Sequence, residues 1–423
     1  AAGLELATRL GRNLGRRQRA EVTLIDAGRT HIWKPLLHQV AAGSFDPGLH
    51  TVEYLAQAER SHFRFRMGKL ETLDRNNRQV WLSPTLNDEG VEIIPRRSFR
   101  YDTLVLSVGS VSHDFGIPGV VEHCWFLDDK KEAVTFQKRL MERLIQSATH
   151  HGPRTPGQLD IAIVGAGATG VELAAQLHQV TRRLRQFGFE HLDPESHVRL
   201  RILDAGPRIL PALPERISDE VRSELDDLGI EVMLNQAVTR VTDAGVETAS
   251  GDFIPAAIIV WAAGIKAPDV TAGLGLEVNG INQIKVGRNL LSMSDDHVFA
   301  IGDCAAFPPD AKGWTVPPRA QAAHQQSSFV AKAIGKRLKG KRDIGEWVYR
   351  DYGSLVTLGG YSTVGSLMGA ITGNLWISGL IARLVYLSLY KMHQVTLHGA
   401  FSTLLLTLSS FLRRSVNPEV KLH

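Results

Sequence analysis

Residues 165–172 read Gly-Ala-Gly-Ala-Thr-Gly-Val-Glu and follow directly on the apolar run Leu159-Asp-Ile-Ala-Ile-Val164. The chain opens on the back half of the same pattern. Aligning Gly3 with Gly170 sets Glu5 on Glu172, Leu6 on Leu173 and Ala7 on Ala174. In a strand–glycine turn–helix unit the first glycine permits the tight turn, the second lets backbone N–H groups approach a pyrophosphate, and the third lets the helix pack on the strand. The helix N-terminus adds the partial positive charge that phosphate prefers. Two copies therefore predict an α/β fold with two Rossmann-like dinucleotide-binding units. The first copy lacks its front half, so a strand of about 5–8 residues and a glycine-rich turn are expected ahead of Ala1.

In the complete copy Gly165, Gly167 and Gly170 are the phosphate-loop glycines. The next strand, Val198-Arg-Leu-Arg-Ile-Leu203, ends at Asp204, placed to accept from a ribose 2′-OH, which favours NAD(H) over NADP(H). The interval from Gly170 exceeds the usual ~20 residues, and the polar segment 181–197 is expected to fill it as extended helix and loop. In the first copy, Gly3 opens a helix expected over 3–18. Strand Glu21-Val-Thr-Leu-Ile25 follows and ends at Asp26, the acid expected on a second ribose.

Two such units imply two nucleotides, one held and one exchanged. Three further strands end in glycine turns: Tyr101-Asp-Thr-Leu-Val-Leu-Ser-Val-Gly109-Ser110, Ile258-Ile-Val-Trp-Ala-Ala-Gly264, and Val298-Phe-Ala-Ile-Gly302-Asp303. In this order they resemble the two-dinucleotide-domain flavoprotein reductases. The resemblance implies FAD as the held nucleotide, with Gly109, Gly302 and Asp303 against it, and Gly264 as the counterpart of Gly109 on the NAD side. Disulfide reductases of that superfamily carry a cysteine pair just after the first fingerprint. Residues 31–45 here contain no cysteine, and the only two in the chain, Cys124 and Cys304, are far apart. A dithiol relay, a zinc site and a disulfide framework are excluded, as is the thiol chemistry of sulfide:quinone reductases.

The resemblance then narrows. Trp33-Lys-Pro-Leu-Leu-His38, Gly-Ala-Thr-Gly-Val-Glu-Leu-Ala, Ala205-Gly-Pro-Arg-Ile-Leu-Pro211 and Ala320-Gln-Ala-Ala-His-Gln-Gln326 look like type II NADH dehydrogenase, the single-subunit, non-pumping NADH:quinone oxidoreductase of respiratory membranes. The resemblance implies that Lys34 lies with the cofactor-binding residues and that Gln321 and Gln325, on a helix opening beside the flavin, form part of the quinone pocket. It gives Glu172 a role in seating nicotinamide or handling protons, with Glu5 beside FAD in a structural role. It further implies peripheral attachment to the cytoplasmic face of a bacterial inner membrane, with lipid and quinone as partners and a homodimer left open.

Charge placement agrees. Residues 375–423 carry five basic groups and one acidic group, which accounts for the whole net charge of +4. The basic excess belongs to an apolar tail and not to a nucleic-acid-binding face, which points to an anionic membrane surface. Residues 352–382 contain no Asp, Glu, Lys or Arg. Six glycines in 352–373 predict strand and turn. A helix is expected over 375–390, with Arg383, Tyr386, Tyr390 and His393 as a thin polar stripe. A second, amphipathic helix over 399–412 is too short to cross a bilayer and reads as an interfacial anchor.

The expected organisation is a FAD-binding part in 1–115, an inserted NAD(H)-binding domain in 116–284, a second FAD-binding part in 285–345 and a membrane-binding C-terminal domain in 346–423. The expected reaction passes two electrons from NADH through FAD to a quinone without proton pumping. The alternatives are a reductase of the same fold with a soluble ferredoxin- or rubredoxin-type acceptor, and a flavoprotein that signals NADH binding to a protein partner, as apoptosis-inducing factor does.

Overall fold

The computed structural model describes residues 1–149, 159–184, 198–311, 313–359, 361–369 and 373–414. Helix α1, Ala2–Leu10, leads to strand β1, Thr23–Asp26. The helix expected over 3–18 is α-helical only to Leu10 and widens into a π-helical segment at Gly11–Gly15. The reason is close packing. A Cβ on Gly11 or Gly15 would run into the carbonyls of Ser61 and His62, so glycines let the following segment cross the helix end. After the short helix α2, Leu37–Ala41, and helix α3, Tyr54–Ser61, strand β2, Arg64–Met67, pairs in parallel with β1. Strand β3, Leu104–Leu106, completes the first stretch of the unit.

Strand β4, Val111–Ser112, carries the chain out of this unit, and helix α4, Lys130–Thr149, begins the next. There, β5 (Ile161–Val164), helix α5 (Ala168–Leu184), β6 (Leu200–Leu203), helix α6 (Glu215–Asp227), β7 (Glu231–Met233) and β8 (Ile258–Trp261) form the second dinucleotide unit. Its sheet has the order β7-β6-β5-β8, all parallel. Strands β5 and β8 are buried at every position, as a parallel sheet covered on both faces requires. Helix α5 ends at Leu184. The remainder of the long interval before β6 lies outside the described residues.

Strand β9, Ile265–Lys266, returns antiparallel to β4, so the inserted unit is joined by two adjacent strands. Strand β10, Asp295–Ala300, then pairs in parallel with β3, with Leu104 opposite Val298 and Leu106 opposite Ala300. Helix α7, Ala320–Arg337, closes the first unit by packing on α1. Its core joins Ala2, Leu6 and Leu10 from one end of the sequence to Phe299, Ala322 and Val330 from the other.

The C-terminal region is an antiparallel three-stranded sheet, β11 (Ser354–Leu358), β12 (Ser362–Gly369) and β13 (Gly373–Ser378), followed by helices α8 (Gly379–His398) and α9 (Ala400–Arg414). The helix expected from residue 375 begins at Gly379, because Leu375, Trp376 and Ile377 suit a strand and find a partner in β12. It also runs on beyond residue 390, to His398. Of its expected polar stripe, Arg383 and Tyr386 are side chains outside the described set. Gly399, with φ +85°, ends α8 at a position where a side chain would be strained. Among the described residues no helix is long and apolar enough to cross a membrane.

Candidate active site

The two units repeat their glycine geometry. At Gly165, φ is +113° and a Cβ would stand 2.7 Å from the carbonyl carbon of Ala262, while a Cβ on Gly170 would strike the carbonyl of Gly165. Both glycines are demanded by backbone packing. Gly167 differs, since a Cβ there meets nothing within 4 Å. Packing within the fold does not require this glycine. In the first unit a Cβ on Gly3 would meet the Ser107 side chain, where one on Gly170 meets the backbone of its own loop. Gly109 and Gly264 end equivalent strands with φ of +75° and +66°. Gly109, like Gly167, has open space on its Cβ side.

The two acids also repeat. Asp204 Oδ1 accepts from the backbone N–H of Gly206 (2.7 Å), and its Oδ2 accepts from that of Ala166 in the glycine loop (2.6 Å). Asp26 Oδ1 accepts from the N–H of Gly28 (2.8 Å), and its Oδ2 accepts from the Tyr54 hydroxyl (2.9 Å). Each acid is thereby aimed by a glycine two residues on and keeps lone pairs for a further donor. The signal was present in the sequence as the repeated tripeptide Asp-Ala-Gly at 26–28 and 204–206, which the reading of the strands passed over.

Pairing of β3 with β10 brings the ends of two distant segments together. The Ser110 hydroxyl donates to Asp303 Oδ2 (2.9 Å), and the Lys34 ammonium donates to the Ser110 carbonyl (2.8 Å) while standing 3.4 Å from Asp128. Gly302, with φ +74°, donates its N–H to Gln326 Oε1 (2.6 Å). Lys34, Ser110, Gly302 and Asp303 are thus brought together as one cradle at the ends of β3 and β10, with Gln326 an addition that the sequence reading did not single out. Its signal was the run of three polar residues, His324-Gln-Gln326, facing different ways on one helix.

Gln321 and Gln325 are both on α7. Tyr349 donates from its hydroxyl to Gln321 Oε1 (2.5 Å), and the N–H of Tyr352 approaches the same oxygen at 3.4 Å. Both ends of the Gln325 amide meet the main chain of Arg350, donating to its carbonyl (2.7 Å) and accepting from its N–H (3.0 Å). Gln325 therefore straps the 349–352 segment onto α7, whereas the Gln321 amide N–H₂ has no hydrogen-bond partner among the described residues.

Glu172, on the first turns of α5, is buried. Its Oε1 accepts from the N–H of Thr357 on β11 (3.0 Å), and its Oε2 lies 3.6 Å from His38 Nδ1. Burial pushes this carboxyl up to about 8, against the opposing Thr357 hydrogen bond, and burial brings His38 down to about 4. The site joins α5 of one unit, α2 of the other and the C-terminal sheet. Glu5, the repeat partner of Glu172, is also buried but ionised, with His324 and His393 against its two oxygens. Beside that cluster lies a cavity of about 370 Å³ lined by Trp33, Tyr390, His393, Leu405 and Leu406 among others. Cys304 is buried, with its thiol donating to the carbonyl of Ile301 (3.4 Å), and burial raises it to about 11. No metal-binding cluster occurs among the described residues.

Helix α9 has unusual polarity. Thr403 faces the protein at 5 % exposure, while Phe401 is 73 % exposed and Leu404, Leu405, Leu408 and Leu412 are also exposed. Phe401, Leu404, Leu408 and Leu412 are turned away from the body, while Leu405 and Leu406 also line the cavity.

Comparison with known proteins agrees with this architecture. The family model described as pyridine nucleotide-disulphide oxidoreductase matches residues 1–327. A type II NADH:quinone oxidoreductase from Haemophilus influenzae is 40 % identical, covering 100 % of this chain and 98 % of the relative. One of the same name from Staphylococcus aureus is 28 % identical over 87 % of this chain and 88 % of its own length. Among solved structures, NDH2 from Plasmodium falciparum in complex with NADH covers 98 % of this chain and 97 % of its own, with a TM-score of 0.79 at 16 % identity, a likeness of fold.

Proposed function

The chain belongs to the pyridine nucleotide-disulphide oxidoreductase family, and within it to the type II NADH:quinone oxidoreductases, and from that membership we propose how its residues divide the work. The chain oxidises NADH with FAD as its cofactor and passes two electrons to a quinone. The observation that carries this reading is the full-length 40 % identity to a named NADH:quinone oxidoreductase, which includes the C-terminal sheet and helices as well as the two dinucleotide units.

The FAD residues are Gly3, Asp26, Lys34, Gly109, Gly302 and Asp303. Their support is the open side of Gly109, the aimed carboxylate of Asp26 and the Ser110–Asp303 contact that fixes the cradle. The NADH residues are Gly165, Gly167, Gly170, Asp204 and Gly264, supported by the open side of Gly167 and the loop-facing carboxylate of Asp204. When bound, the flavin supplies hydride acceptance and electron delivery. The protein's part is to orient donor and acceptor and to exclude water.

Glu172 stands where α5, α2 and the C-terminal sheet meet. With its carboxyl held up to about 8 it is a neutral hydrogen-bond donor at pH 7, suited to seating a carboxamide such as that of nicotinamide. Gln321 offers to a quinone carbonyl the amide N–H₂ that has no partner among the described residues, and Gln325 acts behind it by holding residues 349–352.

The outward apolar face of α9, with the basic residues Arg413 and Arg414 at its end in the sequence, seats the chain on a lipid surface without crossing it. This puts the cavity beside Trp33 and His393 near the membrane, where a quinone resides. Steady-state NADH oxidation by the full chain, run in parallel with a short-chain quinone and with a ferredoxin-type protein, tests the reading. Turnover with quinone supports it, and turnover with the protein acceptor alone overturns it.

A further inference from the structure

Helix α9 has two faces that meet different surroundings. Phe401, Leu404 and Leu408 point away from the body, while Ser402, Leu405, Leu406 and Ser410, at i, i+3, i+4 and i+8, line the cavity of about 370 Å³ described above. Leu405 and Leu406 are 50 % and 43 % exposed, so the apolar edge of the cavity runs on into the outward face. The other walls are Arg60 of α3, residues of α8 and the segment around His31 and Trp33. Four histidines and one arginine line the cavity, and no Asp or Glu does. A volume of this size is that of a small-ligand site.

One group of wall residues is cationic. Arg60 has no hydrogen bond or ion pair among the described residues. Arg12, close by, donates to the carbonyls of Thr396 (3.0 Å) and Leu397 (2.5 Å), where α8 ends. Burial lowers His398, and Arg60, His393 and Arg12 lower it further. Burial lowers Arg12 as well, with Arg60 and Arg9 adding to the effect. His398 Nδ1 is buried without a hydrogen-bond partner among the described residues. The acid facing this group is Glu5, 4.0 Å from Arg9, and His324 and His393 already take its two oxygens. Among the described residues these cations repel one another without a counter-ion of their own, a condition that an anionic ligand relieves.

A second group is neutral and buried. His393 is 3 % exposed, and its Nδ1 lies 2.7 Å from the ionised Glu5. An ionised carboxylate only accepts, so Nδ1 donates. Burial lowers His393 despite Glu5, which leaves Nε2 a bare acceptor, and it has no hydrogen-bond partner among the described residues. His31 is 8 % exposed, its ring is 5.3 Å from that of His393, and its Nε2 also has no partner among the described residues. Burial brings His31 well below its ordinary value, so this ring is neutral too. A buried acceptor left unpaired is destabilising, and a ligand hydroxyl relieves it.

We propose that the cavity is a site for one anionic phospholipid whose headgroup carries a free glycerol. The phosphodiester lies against Arg60 and His398. The glycerol hydroxyls donate to His393 Nε2 and meet the His31 ring, and the acyl chains pass Leu405 and Leu406 onto the outer face of α9. This rests on the reading of α9 as the lipid-facing helix. It goes further, because an apolar face with a basic rim selects anionic surfaces in general, whereas this cavity selects a headgroup. A choline or ethanolamine headgroup would bring a cation toward Arg60. A soluble phosphate would leave the apolar edge unfilled. A quinone brings no charge for Arg60 and offers carbonyl acceptors to a nitrogen that itself accepts. Gln321, to which the reading above assigns the quinone carbonyl, is not among the walls.

The test uses the full FAD-loaded chain in neutral detergent, with bound lipid counted by native mass spectrometry. Phosphatidylglycerol should be retained as one molecule per chain, at least about tenfold better than phosphatidylcholine. Phosphatidylmethanol, which has the same charge and no hydroxyl, should bind about tenfold more weakly than phosphatidylglycerol. Arg60→Gln changes an exposed side chain and should lower retention of phosphatidylglycerol about tenfold. Glycerophosphoglycerol, the headgroup without its chains, should not displace the lipid at equal concentration. Displacement would make this a site for a soluble anion and overturn the lipid. Equal retention of phosphatidylglycerol and either of the other two lipids overturns the proposal without recourse to a variant. An Arg60→Gln chain that retains the lipid as the wild type does also overturns it. Replacing Phe401, Leu404 and Leu408 with serine leaves the cavity walls intact and should keep the single lipid in detergent. A wild-type chain that retains the lipid but fails to sediment with anionic vesicles supports the site and contradicts the α9 reading alone.

Discussion

The Glu172 carboxylate and His38 Nδ1 stand 3.6 Å apart in the interior, and at pH 7 they meet as a neutral acid and a neutral imidazole. The distance alone would describe an ion pair. Burial acts on both groups in the direction that removes charge, raising the carboxyl to about 8 and lowering the imidazole to about 4.

This neutrality predicts a pH dependence. Below 4.5, the ordinary carboxyl value, folded and unfolded chains both hold the Glu172 proton. As pH rises from there to about 8 the folded chain keeps a proton that the unfolded chain has released, so stability falls, and above about 8 the fall ends. Glu172→Gln has no such term. Thermal midpoints at pH 5 and pH 8.5 should therefore show the wild type losing ground to Glu172→Gln. Parallel changes in the two proteins would place an ionised carboxylate at this position.

The loop glycines should separate by role. Gly165→Ala and Gly170→Ala drive a methyl into backbone and should destabilise the fold by about 2 kcal/mol or more. Gly167→Ala meets no protein atom and should melt within about 2 °C of wild type. It should still weaken NADH binding at least tenfold, because the methyl enters the space assigned to the pyrophosphate. Calorimetric titration with NADH checks this, and undiminished affinity would move the nucleotide elsewhere.

Asp303 ties the cradle proposed for the flavin together by accepting from Ser110 across the β3–β10 junction. Asp303→Ala leaves that hydroxyl without its partner and removes an acceptor from the cradle. Purified Asp303→Ala should carry less than half the flavin of wild type, read from the ratio of visible to ultraviolet absorbance. Full flavin content would remove Asp303 from the site.

The outward apolar side chains of α9 should govern lipid attachment. Replacing Phe401, Leu404 and Leu408 with serine removes exposed apolar surface and leaves the cavity lining unchanged. The variant should fail to sediment with vesicles containing anionic lipid, under conditions where the wild type sediments, and should keep its melting temperature. Unchanged sedimentation would shift the anchor to another surface.

Much of this arrangement was readable before any coordinates. The strands, their glycine turns and both acids lie in local patterns whose spacing is fixed by the dinucleotide unit itself. The limits of α1 and α8 were not readable, because they are set by long-range partners. Gly11 and Gly15 admit the Ser61–His62 backbone, and β12 draws residues 375–378 into a strand. The Glu5 cluster was hidden for the same reason. Glu5 is hundreds of residues from both His324 and His393, and each alone reads as an ordinary helical side chain. Gln325 shows the converse. Its position in a motif pointed to the pocket, while its partners lie in Arg350.

The most direct measurement of the central claim is anaerobic visible spectroscopy of the FAD-loaded chain, with NADH added first and a short-chain quinone second. Loss of the flavin band on NADH and its rapid return on quinone is the result predicted. A band that bleaches with NADH and stays bleached in the presence of quinone would contradict the account.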